Sequence, residues 1–242
     1  MKSKTYEKAL SERQHELLML QHAYARQGRS AAIVLEGWDA AGKGGVIRRI
    51  AWALDPRALR AWSIGAPSQE EQREHWMQRF WRRVPRRSEI AVFDRSWYGR
   101  VLVERVEELI PEPDWQRAYD EINQFERTLT EEGVRLVKLF LDITPETQLR
   151  RFQERFDDPS KRWKITEEDI RNRARWDDYV TAYRQMRKRC SPSHAPWTTI
   201  AADDERPARL AAFDAIIATL GRGVDIEPPE VPALVKAFFD RR

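Results

Sequence analysis

Residues 31–45 read Ala31-Ala32-Ile33-Val34-Leu35-Glu36-Gly37-Trp38-Asp39-Ala40-Ala41-Gly42-Lys43-Gly44-Gly45. Five consecutive apolar residues predict a short strand buried on both faces, and it runs straight into a glycine-rich turn. From Gly37 to Lys43 the turn has the G-x-x-x-x-G-K spacing, in the strand-turn-helix setting that this motif requires. Its glycines let successive backbone N–H groups curl around phosphate oxygens, and the following helix adds its positive dipole end. Gly37, Ala40, Ala41, Gly42, Gly44 and Gly45 are thus the candidate phosphate cradle, and Lys43 the mobile cation for a transferred phosphoryl group. The bland alternative is an ordinary strand-to-helix turn, and the agreement of motif with context weighs against it.

Two departures sharpen this reading. Gly44 stands where the motif usually carries the Ser or Thr hydroxyl that holds Mg²⁺. Asp39 sits inside the loop, where a bare carboxylate would repel phosphate, so it is expected to bind a metal or orient a nucleophile. Its structural alternative is a turn residue bonding its own backbone. A second acid, Asp94, ends the apolar run Ile90-Ala91-Val92-Phe93. Ligands of open parallel sheets bind beyond the carboxyl ends of the strands, which predicts Asp94 beside the phosphate turn. Two acids converging on one Mg²⁺ would compensate for the missing hydroxyl. Arg95 would then hold an acceptor phosphate or screen charge on the transferred oxygens, although Asp-Arg pairs are often plain salt bridges.

Working outward, apolar runs alternate with amphipathic stretches. Helices are expected at 5–27, 46–54, from Ser68 (a Ser-x-x-Glu capping box with Glu71), 97–109, 114–132, from Thr144-Pro145, after Thr166, and at 205–220. Strands are expected at 31–35, 58–64, 90–93, 134–141 and 197–201. Such alternation indicates an α/β fold, a parallel sheet with helices on both faces. The tail from 221, with Pro228-Pro229 and Pro232, is expected to pack across the surface.

The chain has 242 residues and a formal charge of +4. The surplus is local: residues 150–189 hold 13 basic and 8 acidic side chains, so the remainder is nearly neutral. A breaker at Asp157-Asp158-Pro159 could hinge this segment. Arg151 and Arg155 precede it, Lys161 and Lys164 follow, and Arg171 and Arg175, about one helical turn apart, could face one channel. So dense a cluster near a phosphate turn implies a ligand with more negative charge than one nucleotide. Arg82, Arg83, Arg86 and Arg87 could extend the track or merely solvate a helix end. Among ten tryptophans, most belong to the core, while Trp38 and Trp97 flank the acidic motifs and could stack on a nucleobase. A lone cysteine, Cys190, excludes an internal disulfide and a cysteine-based zinc site. The absence of an apolar run of about 18 residues, or of an apolar leader, points to a soluble cytoplasmic protein with no membrane partner.

The segments Leu35 to Gly45, Phe93-Asp94-Arg95-Ser96-Trp97-Tyr98-Gly99-Arg100, Lys161-Arg162-Trp163-Lys164 and Ala195-Pro196-Trp197 with Ala202-Asp203-Asp204 closely resemble the polyphosphate kinase type 2 family. The resemblance runs from about residue 5 to 220. It implies a single thymidylate-kinase-like P-loop kinase domain over 1–242, a three-layer α/β/α sandwich with 150–189 as a helical lid and 221–242 as a tail. It also implies Mg²⁺-dependent, often reversible phosphoryl transfer between inorganic polyphosphate and nucleoside mono- or diphosphates, in a homodimer or homotetramer. By matching positions, Asp39 and Asp94 would hold the metal and orient the acceptor, while Lys43, Arg95 and the basic residues of the lid would bind the donor chain. Gly99 resembles the members that act on AMP. Two rivals remain at this point: an ATP-dependent nucleoside monophosphate kinase, and a non-catalytic polyanion- or nucleic-acid-binding module. The missing Ser or Thr counts against the first and the two acids against the second, so no nucleic-acid partner is expected.

Overall fold

A computed structural model describes residues 3–240. In chain order the elements are α1 (Ser3–Gln27), β1 (Ser30–Gly37), α2 (Lys43–Ala53), β2 (Leu59–Ser63), α3 (Gln78–Trp81), β3 (Ile90–Asp94), α4 (Val103–Val106), α5 (Glu112–Glu131), β4 (Val134–Asp142), α6 (Pro145–Asp157), α7 (Glu167–Ala174), α8 (Trp176–Arg189), β5 (Trp197–Ala201), α9 (Glu205–Leu220) and α10 (Ala233–Phe239). The strands form one parallel sheet in the order β2-β3-β1-β4-β5. Helices α1, α2 and α9 pack together on one side, and α4, α5 and α8 gather on the other with the 3₁₀ turn Trp97–Val101. The expected α/β sandwich is therefore present.

Burial follows strand position. Ala31 to Leu35 and Ile90 to Phe93 are buried throughout, while the edge strands β2 and β5 are largely open to solvent. Central parallel strands are covered on both faces, so only apolar runs suit them. Each fully buried Ile or Phe contributes roughly 1.5–3 kcal/mol over its exposed form. The register pairs Leu35 with Asp94, so β1 and β3 end side by side at the carboxyl edge of the sheet.

Three expected elements differ. Ser68 and Glu71 do exchange capping-box bonds, yet they start only the 3₁₀ turn Glu71–Arg73, because Glu71 also pairs with Arg79 and Arg83 and holds the segment against α3. The helix expected at 97–109 is a 3₁₀ turn followed by the single turn α4, since the buried side chains of Trp97 and Tyr98 anchor its start. The tail is held near 223–227, where its carbonyls accept from Arg26, Gln27 and Arg29, but α10 is solvent-exposed along its length. It does not pack across the surface as expected.

An ion pair lies in the core where the sequence reads as a uniform strand. Lys138 on β4 donates to Glu126 of α5 at 2.6 Å, to the Tyr98 hydroxyl at 3.0 Å and to the carbonyl of Cys190 at 2.8 Å. Glu126 also accepts from Trp97 Nε1 at 3.0 Å and Tyr98 Oη at 2.6 Å. Both charged side chains are fully buried. Burial lowers the Lys138 pKa, against the attraction of Glu126. Burial also pushes the Cys190 thiol up to about 12, which makes it an inert core group. Removing one partner of such a pair strands a charge, whereas removing both does not. Lys138→Met is expected to cost about 3–5 kcal/mol in urea denaturation, and Glu126→Gln/Lys138→Met to regain more than half of it. A double variant as unstable as the single would show that the pairing itself is not what the core requires.

Candidate active site

The phosphate loop takes its shape from backbone that most residues avoid. Gly37 has φ +134°, and a Cβ there would lie 2.2 Å from the carbonyl oxygen of Leu141, so only glycine fits. Gly42, at φ +104°, precedes α2, and no side chain caps that helix. The N–H groups of Gly45 and Val46 donate to the Gly42 carbonyl, which leaves those of Lys43 and Gly44 at the head of the helix to meet an anion. Ala40 and Arg95 also adopt left-handed conformations, at φ +63° and +61°, uncommon for residues with a Cβ.

Lys43 folds back over the loop and donates to the carbonyls of Gly37 at 2.7 Å and Trp38 at 3.0 Å. The carboxylate of Asp39 is gripped from two sides: Oδ1 accepts from Arg95 at 3.0 Å, and Oδ2 from Asn172 of α7 at 2.8 Å. Burial would raise the Asp39 pKa. The charges of Lys43 and Arg95 and these hydrogen bonds outweigh that effect and hold it below the ordinary carboxylate range. The Arg95 guanidinium, held firmly charged by Asp39 and Glu168 despite burial, donates to Glu168 at 2.9 Å. Helix α6 braces the loop, with Gln148 donating to the Asp39 carbonyl and Arg151 to that of Ala40.

These groups open onto a cleft of about 1230 Å³. Eleven basic and seven acidic side chains line it, so its character is cationic with carboxylates interspersed. The expected cradle from Asp39 to Gly45, with Asp94 and Arg95, forms part of the lining, as do Arg151, Arg155, Lys161 and Lys164. Gly37 lines a smaller neighbouring cavity of about 40 Å³ with Glu36, Arg95, Gly99 and Tyr183.

Other expected placements fail. Arg171 and Arg175 do not line the cleft. Helix α7 stops at Ala174, breaking the assumed helical spacing, and Arg175 is drawn away to Glu108 and Asp178 while Arg171 approaches Glu167. Arg82 and Arg83 pair with Glu74 and Glu71, and Arg86 and Arg87 are likewise outside the cleft, so this group stabilises a local turn. Neither flanking tryptophan offers a face to a base. Trp38 is stacked on Trp176 at 3.5 Å with its Nε1 donating to Asp142, and Trp97 is fully buried on Glu126. Arg151 is buried and directs its donors to the carbonyls of Ala40, Ala202 and Asp203, so its first duty is to brace the loop.

The sequence reading missed Arg48 and Arg49 on α2, Arg206 and Arg209 on α9, and the pair Glu168 and Asn172. The arginines on α2 follow the loop by less than two turns, and those on α9 follow the carboxyl end of β5. The carboxyl-edge rule that located Asp94 applies equally to both.

Comparison with known proteins identifies the family. The family described as Polyphosphate kinase 2 matches residues 1–225. The chain belongs to that family. A polyphosphate:AMP phosphotransferase of Pseudomonas syringae pv. tomato is 52% identical over 210 residues, covering 84% of this chain and 42% of that protein. An ADP-polyphosphate phosphotransferase of Rhizobium meliloti is 40% identical, covering 88% of this chain and 69% of its own. The crystal structure of Polyphosphate Kinase 2 from Arthrobacter aurescens superposes with TM-score 0.89 at 32% identity, covering 96% of this chain and 84% of that one. The chain spans about two fifths of the length of the polyphosphate:AMP phosphotransferases it matches.

One further family-motif residue carries a measurable signature. Glu36, the last residue before Gly37, is buried and accepts from the Ser96 hydroxyl at 2.8 Å. Burial pushes its carboxyl up to about 7, partly offset by Ser96, Lys43 and Arg95. A pKa raised on folding favours the folded state fully only below the unfolded value, and that advantage is lost as pH rises through the folded value. Between pH 4.5 and 7.5 Glu36→Gln should therefore gain on the wild type by about 3 kcal/mol in denaturation experiments. A constant difference across that range would show that Glu36 is not held neutral by its surroundings.

Proposed function

We propose that this chain transfers a phosphoryl group between inorganic polyphosphate and a nucleoside mono- or diphosphate. The observation that carries the proposal is the convergence of one long cationic cleft on a phosphate loop whose floor holds two acids, Asp39 and Asp94. A cleft for a single nucleotide has no use for eleven basic side chains, and a passive polyanion binder has none for carboxylates at the phosphate position. The names of relatives, which include AMP, ADP and GDP as acceptors, support the same class. AMP is the acceptor favoured here, on the 52% identity to polyphosphate:AMP phosphotransferases and on Gly99.

The chemistry follows from the placement. Lys43 releases its two loop carbonyls to meet the transferred phosphoryl group, and Arg95 screens its equatorial oxygens. The donor chain runs along Arg155, Lys161 and Lys164, with Arg48, Arg49 and Arg209 from α2 and α9. Among the described residues no cluster of three or more metal-ligating side chains exists. The two carboxylates Asp39 and Asp94 in the cleft suit Mg²⁺, which is commonly bound by one or two carboxylates together with water and substrate phosphates. Asp39 and Asp94 would hold it, and it would neutralise charge on the phosphate oxygens. Residues 150–189 act as the lid of a single domain over 1–242, working in a cytoplasmic homodimer or homotetramer. No helix among the described residues is long and apolar enough to cross a membrane.

Asp39→Asn and Asp94→Asn should each lower turnover on the order of a hundredfold or more while leaving polyphosphate binding largely intact. Product analysis with polyphosphate, Mg²⁺ and each of AMP, ADP, GMP and GDP checks both activity and acceptor. Full activity in either variant would remove the metal role. Ala at Lys161 and Lys164 should weaken polyphosphate more than nucleotide binding in calorimetric titration, and equal losses would count against a donor track there.

A further inference from the structure

Helix α7 reaches into the site with two side chains. Glu168 accepts from Arg95 at 2.9 Å, and Asn172, one turn later, donates to Asp39 at 2.8 Å. Asn172 is itself oriented by the Tyr179 hydroxyl, which donates to its Oδ1 at 3.1 Å. The start of α7 is fixed by a reciprocal capping box between Thr166 and Asp169, so the position of Glu168 on the first turn is set by local geometry. Arg95 is fixed as well, by its left-handed backbone and its bond to Asp39. Glu168 nevertheless remains 43% exposed, and Lys164, four residues earlier, lines the phosphate cleft.

A carboxylate is the side chain that most nearly reproduces a phosphate for a guanidinium, because it offers paired anionic oxygens to the same N–H fork. We propose that Glu168 is a built-in competitor for phosphate at Arg95, a specificity-determining residue that a donor chain must displace in order to bind productively. This rests on reading the cleft as a phosphate-chain site. An incoming phosphate exchanges one anion for another at Arg95 and gains only the difference. A chain that also engages Arg155, Lys161 and Lys164 makes up that difference.

The test is calorimetric titration of the full chain with inorganic tripolyphosphate, for the wild type, Glu168→Gln, Glu167→Gln, Arg95→Ala and Arg95→Ala/Glu168→Gln, each shown to be folded by thermal melting. Glu167, 97% exposed and 3.9 Å from Arg171, controls for loss of a nearby charge without contact to Arg95. Glu168→Gln should bind tripolyphosphate about two- to fivefold more tightly, the factor corresponding to a partly exposed ion pair. Glu167→Gln should change it less, and in the Arg95→Ala background Glu168→Gln should have little effect. Unchanged or weaker binding by Glu168→Gln, an equal gain in Glu167→Gln, or a full gain without Arg95 would each overturn the competition. Absence of any binding by the wild type would instead remove the phosphate-chain reading of the cleft itself, and the competition with it.

Discussion

The approach of Gly37 to the carbonyl of Leu141 is the constraint from which the site is built. With no room for a Cβ between them, β1 must turn out of the sheet at this residue, close against β4. The next residue, Trp38, is then directed into the body of the protein. It donates to Asp142 and lies flat on Trp176, the first residue of α8. With Trp38 buried, Asp39 is carried to the mouth of the loop. The indole that seems available for a nucleobase in the sequence is thus used to lock the loop to the segment that follows α7.

A second anchor acts on the other half of the site. Glu126, Lys138, Trp97 and Tyr98 form a closed polar network under the 3₁₀ turn that begins two residues after Arg95. Buried ion pairs add little net stability compared with apolar packing, so their use lies in specifying one arrangement. Here the arrangement is the left-handed Arg95, held between Asp39 and Glu168. Lys138 also grips the carbonyl of Cys190 at the end of α8. The 3₁₀ turn and the exit of the basic segment therefore share one buried cation.

Legibility in the sequence divides along the range of the interaction. The strand positions, the helix starts at Thr144 and Thr166 and the phosphate loop are local patterns, and each is found where the residues predict it, as is Asp94 at the carboxyl edge beside the loop. What could not be read depends on partners far away in the chain. Lys138 looks like an irregularity in an apolar strand until Glu126 is placed opposite. Asn172 and Glu168 look like solvated helix residues until α7 folds over the loop. The charge count of 150–189 was a sound pointer to the cleft but a poor guide to its members. Arg162 and Arg173 are turned to backbone carbonyls, Arg187 to a threonine hydroxyl and Arg175 to acids, and part of the cationic lining comes instead from α2 and α9.

The seven carboxylates in the cleft bear on why so cationic a surface is stable when no polyanion fills it. Like charges gathered around a partly enclosed space repel, and each Arg or Lys left without a counter-ion would raise the free energy of the folded state. Of these carboxylates, Glu154 bonds Arg150 at 2.8 Å, Asp39 bonds Arg95 and Glu205 bonds Arg209, while Asp158, outside the lining, bonds Lys161 at 2.7 Å. Apart from the Asp39–Arg95 pair, these pairs are partly exposed and individually weak, so they hold their cations loosely. On the proposed function, a polyphosphate chain would exchange many weak intramolecular partners for closely spaced phosphates without stripping the protein of compensated charge.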